Sequence, residues 1–399
     1  MHDLSRLVAD ALPDTIDLRH DLHSHPQLGY EETYASAVIQ EYLAESGIPF
    51  KAGLAKTGVV GWLTPDGAAA NEPAVGLRAD IDALPIAERT GLPYASRNPG
   101  LMHACGHDGH TSILLAAARI LAKKRNQLPR PVKFVFQPAE ECGVGAAGAE
   151  RMIAAGALSA AVGGHRVGSM FGLHGTPMLP VGHVASKAGP LLAGYADFEI
   201  SVTGVGGHAA LPHTTTDPVV AAAALVSALQ TVVSRNLDPT QGAVLSVCSI
   251  HGGEATNVVP DRVTLTGTVR AFLPEVFELV TRRITELADH TAKGYGCRAD
   301  VTFTPAHPSV MNDSAATAFA LGVADSVVGD GRVVRMDTPV LASEDFSFYG
   351  RVVPSCFSFI GVMPADRTDY PGLHSPEFDF SDAALETGIK LMCGYALAG

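Results

Sequence analysis

Apolar positions recur at helical spacing from Leu4 to about His23 and again from Tyr34 to Ser46. Ala74-Val-Gly-Leu-Arg78 reads as a buried strand, and its end carries Asp80-Ile-Asp82. A helical run from Thr111 to Lys123 follows, then an apolar strand at Val132–Phe136, a short helix around Ala149–Ala155 and a strand ending at Leu173-His174. Strands and helices that alternate in this way predict an α/β fold with a mostly parallel sheet. Its chemistry should lie at the carboxyl ends of the strands, and Asp80, Glu140, Glu141 and His174 each follow an apolar strand.

After about Gly189 the pattern changes. Alternating positions mark strands at Ala196–Thr203, Ala243–Ile250, Arg262–Phe272 and Arg298–Thr304. Helices are expected at Asp217–Arg235, opened by Asp-Pro, and from Pro274 to about Ala292. The order β-α-β-β-α-β is a split βαβ unit, an antiparallel sheet with two helices on one face. The first pattern resumes at Asp313. The reading is one domain from residues 1–188 and 306–399, interrupted by an α+β insert at 189–305.

Composition narrows the function. Of 399 residues, 47% are hydrophobic and 41 are glycine, which suits a buried sheet with many tight turns. A formal charge of −13 argues against nucleic acid or an anionic membrane as partner. No apolar run is read as approaching the roughly 20 residues of a membrane span, and the N-terminus reads as an amphipathic helix rather than a signal peptide. Six cysteines without regular spacing do not form a disulfide framework, so a cytoplasmic enzyme with reduced thiols is expected. Cys248, Cys297, Cys356 and Cys393 are expected to be buried small hydrophobes.

The chemistry is concentrated in two short runs. Residues 103–110 read His-Ala-Cys-Gly-His-Asp-Gly-His at a loop-to-helix junction, where Cys105 and His107 can converge on one ion. Phe136-Gln-Pro-Ala-Glu-Glu141 sets two adjacent carboxylates at the end of a strand. Thiolate, imidazole and a spare carboxylate are what a hydrolytic metal site needs. Two such carboxylates cannot both ionise freely without a cation between them.

These runs, with Arg78-Ala-Asp-Ile-Asp-Ala-Leu-Pro85, Phe171-Gly-Leu-His174, Gly206-Gly-His-Ala-Ala-Leu-Pro-His213, Asn257-Val-Val-Pro-Asp261, Gly267-Thr-Val-Arg270, Ser343-Glu-Asp-Phe346 and Leu373-His374, occur in one family's order. The chain resembles the amidohydrolase branch of the aminoacylase/carboxypeptidase metallopeptidases, which holds hippurate hydrolases, N-acyl-L-amino acid amidohydrolases and indole-acetyl-amino-acid hydrolases. The resemblance implies a catalytic domain holding two divalent ions and a smaller lid that often dimerises, so a homodimer or higher homo-oligomer is expected.

It also implies roles. Cys105, His107, Glu141, His174 and His374 would hold the metals, and Glu140 would stay unligated as general base. Related carboxypeptidases have His where this chain has Arg78, so Asp80 becomes a carboxylate that orients a ligand histidine. Asp108 and His110 are further supporting candidates, whereas His103 is expected to be a loop residue. His165 is a decoy, because the Phe-Gly-Leu context selects His174. His23 and His25 are expected to be structural.

The ions would lower the pKa of a water from about 15.7 toward 7, with Glu140 moving its proton. His208, reaching in from a partner subunit, would stabilise the oxyanion, and Asn257 and Arg270 would hold the substrate's free carboxylate. Hinges are expected near Ala188-Gly189 and Thr304-Pro305. Thiolate and imidazole favour zinc, with manganese, cobalt and nickel as alternatives. Two departures from the family pattern bear on the acyl group. Gly175-Thr176-Pro177 stands where an aromatic-Pro step is usual, so a bulky pocket wall is missing or supplied elsewhere, and Cys142 follows the Glu pair where Gly is usual, either narrowing the site or offering a further thiol ligand. The expected reaction is amide hydrolysis of N-acyl-L-amino acids, with a dipeptidase or carboxypeptidase on the same site as the alternative.

Overall fold

The computed structural model describes residues 2–142, 147–304, 307–329 and 331–398. They fall into two compact units. The first runs to Leu191 and resumes over Met311–Thr338 and again from Asp345, while the second comprises Leu192–Val310 and Pro339–Glu344. Pro305 and Ala306, where the expected boundary and one expected hinge fall, lie outside the described residues.

The first unit opens with α1 (His2–Ser24) and α2 (Thr33–Glu45), then β1 (Phe50–Leu54) and β2 (Gly58–Leu63). β3 (Ala74–Asp80), α3 (His107–Lys123), β4 (Val132–Gln137), α4 (Gly148–Ala154), β5 (Val167–Pro180) and β6 (Val184–Ser186) follow. The chain crosses between units at β7 (Gly189–Leu192). The second unit holds β8 (Gly194–Thr203), β9 (Gly207–His208), α5 (Pro218–Thr231), β10 (Ala243–His251), β11 (Val258–Val259), β12 (Arg262–Ala271), α6 (Pro274–Gly294) and β13 (Arg298–Phe303). β14 (Val310–Asn312) leads back to α7 (Ser314–Val328), β15 (Val333–Arg335), α8 (Ser347–Gly350), β16 (Ser355–Met363) and α9 (Ala383–Ala398).

The first unit is built on an eight-stranded sheet of order β1-β2-β4-β3-β5-β16-β6-β15. Its centre is parallel, since β3 pairs in parallel with β4 and β5, and β5 with β16. β3 and β4 are buried along their whole length, as strands covered on both faces are. Nearly all of α3 is buried too, because α1, α2 and α9 pack around it.

Two details differ from the sequence pattern, and both concern the chemistry. α3 starts at His107 rather than Thr111. Its polar opening reads as loop, but His107, Asp108 and His110 are all buried and find tertiary partners there. β5 does not end at His174 but runs on to Pro180, because β16 lies beside it with Phe359 opposite His174. His174 is therefore a mid-strand residue.

In the second unit the sheet order is β10-β12-β8-β13, antiparallel throughout, with α5 and α6 packed on it. Asp217 caps α5 by accepting from the Val219 N–H, and a π-helical turn at Val232–Asn236 finishes the helix. The stretch Pro218–Asn236 has a mean hydropathy of 1.4, long and apolar enough by composition to cross a membrane, contrary to the reading that no such run exists. Pro218, Ala221, Ala222, Leu225 and Leu229 line its buried face, which serves as one wall of this unit's core. Cys248 also departs from expectation. It is exposed, because it lies on β10, a terminal strand of the sheet.

Candidate metal centre

Gly106 caps α3 in the left-handed region at φ 86°, which a side chain rarely tolerates, and so turns the chain between Cys105 and His107. Cys105, His107 and His174 each bring a ligand atom within 4.8 Å of the others, and all three are buried. Cys105 Sγ lies 3.3 Å from His174 Nε2.

The imidazoles are held by their other nitrogens. His107 Nδ1 lies 3.2 Å from Asp82 Oδ1, and His174 Nδ1 lies 2.7 Å from the Gly175 carbonyl. Each acceptor requires Nδ1 to donate, which leaves the lone pair on Nε2. His107 Nε2 is buried with no hydrogen-bond partner. An imidazole held by its far nitrogen, with a bare buried Nε2 beside a thiol, fits a metal ion. The orienting carboxylate is Asp82, not Asp80 as the sequence suggested. Asp80 Oδ1 instead holds His110, while its Oδ2 lies 3.7 Å from His107 Nε2.

The paired carboxylates enter from the end of β4. Ala139 sits in the left-handed region at φ 55° directly before them. Its N–H donates to buried Glu32 at 2.9 Å, and the Glu141 N–H donates to Asp82 Oδ2 at 2.9 Å. This strained corner brings Glu140 and Glu141 within ligand distance of His107. Glu141 also clusters with Cys105 and His374, and its Oε1 lies 3.1 Å from His374 Nε2. His374, itself left-handed at φ 64°, is anchored by its N–H to the Ala104 carbonyl. Two ligand clusters thus share Cys105, which is the arrangement a pair of ions bridged at one corner needs.

The site is electrostatically biased toward cations. Burial and the charges of Glu141, Glu140 and Asp80 push the Cys105 thiol well above its usual range, so only a cation would keep the thiolate there. Burial opposes a charge on His107, but Asp80 and Asp82 outweigh it and hold its pKa up at about 10, so these carboxylates favour a positive charge at Nε2, which a metal ion would supply in place of the proton. Burial pushes His174 down to about 3, which keeps it neutral as a ligand must be.

Among the described residues, His165, His23, His25 and His103 belong to none of the ligand clusters. His165 Nδ1 lies 2.9 Å from the Glu72 carbonyl. His23 bonds Asp108 at 2.9 Å in a buried network with Arg19, and His25 stacks on Tyr34. His103 lies in the loop before α3, as expected, and is buried there, which lowers its pKa to about 4. A Cβ at Gly175 would come within 2.7 Å of Phe380 and 2.9 Å of Val362, so these two side chains fill the space beside Gly175. The Cys142 sulfur packs on Gly29, and among the described residues Cys142 joins none of the ligand clusters.

His208, Asn257 and Arg270 belong to the second unit. β9 and β11 pair His208 with Val258, and the Ala209 N–H donates to the Asn257 carbonyl, so His208 and Asn257 are neighbours on an exposed ribbon. His208 Nδ1 accepts from the Ala210 N–H. Arg270, on β12, donates to the Leu341 carbonyl at 2.9 Å and lies over the Tyr195 ring. Sequence reasoning missed Asp345 and Phe380. Asp345 accepts from Arg78, Gln137 and the Ala149 N–H, and the Phe380 ring lies against Gly106, Gly109 and Gly175. Both sit far along the chain from their partners.

Residues 76–398 match the family model described as peptidase family M20/M25/M40. The chain is 39% identical over 385 residues to the Arabidopsis thaliana IAA-amino acid hydrolase ILR1-like 5, covering 96% of this chain and 85% of that protein. It is 40% identical to the N-acetyl-L-cysteine deacetylase of Bacillus subtilis, over 93% of this chain and 84% of that one. Among solved structures, a Bacillus subtilis protein described as a dinuclear metal binding peptidase from the M20 family superposes with a TM-score of 0.83. Its identity is 33%, over 98% of both chains.

Proposed function

The chain belongs to peptidase family M20/M25/M40, and from that premise we propose that it hydrolyses the amide bond of N-acyl-L-amino acids, releasing a carboxylic acid and a free amino acid. The observation that carries this reading is the buried convergence of Cys105, His107 and His174, with Glu140 and Glu141 alongside. The activities for which the plant hydrolase and the bacterial deacetylase are named support it.

Cys105, His107, Glu141, His174 and His374 would hold two divalent ions, with Cys105 shared. When bound, the ions supply Lewis acidity and acidify water. Glu140, beside His107 and Glu141, takes the proton of the attacking water and returns it to the leaving nitrogen. Asp82 keeps His107 in the tautomer that presents Nε2. To the second unit the reading assigns His208, which would polarise the developing oxyanion, and Asn257 and Arg270, which would hold the substrate's free carboxylate. A thiolate–imidazole–carboxylate set suits zinc, with manganese, cobalt or nickel able to replace it. The reading places the enzyme in the cytoplasm, where Cys105 stays reduced. It also takes the enzyme as a homodimer formed through the second unit, where β10 is a terminal strand and Val219, Val220 and Ile250 are exposed.

The test is amine release from a panel of N-acyl amino acids and free dipeptides by metal-loaded protein, with and without chelator, beside Glu140→Gln. Chelator-sensitive release from the blocked substrates, falling at least about 10²-fold in the variant, is expected. Cleavage of free dipeptides alone would move the assignment to a dipeptidase.

A further inference from the structure

Asp80 ends β3 fully buried, and each of its oxygens is engaged. Oδ2 accepts from Arg78 Nη1 at 2.7 Å, and Oδ1 lies 2.7 Å from His110 Nδ1. Because His110 Nδ1 donates to that carboxylate, its lone pair sits on Nε2, which accepts the Gly175 N–H at 2.8 Å. Gly175 directly follows His174, whose own Nδ1 donates to the Gly175 carbonyl at 2.7 Å. The N–H of Gly175 is therefore held by His110, and its C=O by His174.

Arg78 is likewise tied down. Its Nε donates to Gln137 Oε1 at 2.9 Å, and its Nη2 to Asp345 Oδ1 at 3.1 Å. Asp345 Oδ2 in turn accepts the Ala149 N–H at the start of α4. A continuous buried chain thus runs from Ala149 through Asp345, Arg78, Asp80 and His110 to the backbone beside His174. Buried charges persist only when partnered in this way, and such a fully engaged chain has one arrangement.

We propose that His110 is a positioning residue that aims His174 Nε2 at Cys105, by fixing the Gly175 peptide through a lone pair whose tautomer Asp80 and Arg78 impose. The inference rests on the reading of Cys105 and His174 as ligands. It gives His110 a role other than ligation: Asp80, His107 and His110 lie within ligand distance of one another, but both nitrogens of His110 are already used.

Two conservative variants separate the two bonds. His110→Gln keeps an acceptor near Nε2, and His110→Asn keeps only a donor near Nδ1. Each is loaded with cobalt and followed by the thiolate-to-cobalt charge-transfer band and by cobalt affinity, with thermal melts confirming that it is folded. His110→Gln should hold the wild-type band and stay within about threefold in affinity, while His110→Asn should shift the band and bind about 10–100-fold more weakly. Wild-type spectra and affinities in both variants would overturn the inference, and so would equal losses in both. A wild-type protein without the band would overturn the ligand assignment, and the inference with it.

Discussion

Sixteen histidines occupy the chain, and what separates His174 from His165 is the company of Nε2. Both direct Nδ1 at a backbone carbonyl, but His174 Nε2 lies 3.3 Å from a buried thiol. His174→Ala should therefore lose at least one tightly held ion per chain by elemental analysis, while His165→Ala keeps the wild-type content. A second histidine sets a pH dependence. His23 faces Asp108, Glu88, Arg19, His103 and Tyr94. Burial disfavours its charge, but Asp108 outweighs that and holds the pKa up at about 9, above the 6.5 of an exposed imidazole. The stability it contributes is then fully present below pH 6.5 and is lost as pH rises through 9. Urea unfolding should show the gap between wild type and His23→Gln shrinking across this window by on the order of 3 kcal/mol; a constant gap would contradict it. The candidate ligands that sit in contiguous motifs could be picked out from the sequence. The partner that orients His107 was not, because Asp80 and Asp82 are both plausible on one strand end and only the fold shows which one reaches Nδ1.

Elements meet at Phe380. Its ring fills a slot left by three glycines, two flanking the start of α3 and one on β5. A Cβ at Gly106, Gly109 or Gly175 would approach it to 2.7–2.8 Å. One aromatic ring thus sets the spacing between the two segments that carry Cys105, His107 and His174. Gly109→Ala tests this, because alanine in a helix would otherwise gain about 1 kcal/mol. The clash should reverse the sign, costing about 1–3 kcal/mol and lowering the melting temperature; a higher melting temperature would mean that the slot is loose. Helix and strand periodicity revealed most elements as far as β13, whereas beyond Asp313 it showed only a return of the first pattern. It missed the β1–β2 hairpin, the first turn of α3 and the far half of β5, where polar or glycine-rich residues are stabilised by tertiary neighbours rather than by local pattern.

At the scale of the whole molecule, the change from a buried parallel pattern to an alternating antiparallel one was readable. The return of Pro339–Glu344 to the second unit was not, since a short segment without periodicity carries no such signal. The apolar stretch Pro218–Asn236 belongs to this scale too: one face is core, and Val219 and Val220 are exposed. Wild-type protein should sediment as a dimer and Val220→Glu as a monomer; a monomeric wild type would contradict the proposed assembly. The proposed chemistry depends on a two-ion centre cornered at Cys105. Anomalous diffraction from zinc-loaded crystals tests it most directly. Two peaks are expected, both within bonding reach of Cys105 Sγ, one toward His174 and one toward Glu141 and His374. A single peak, or peaks away from Cys105, would contradict it.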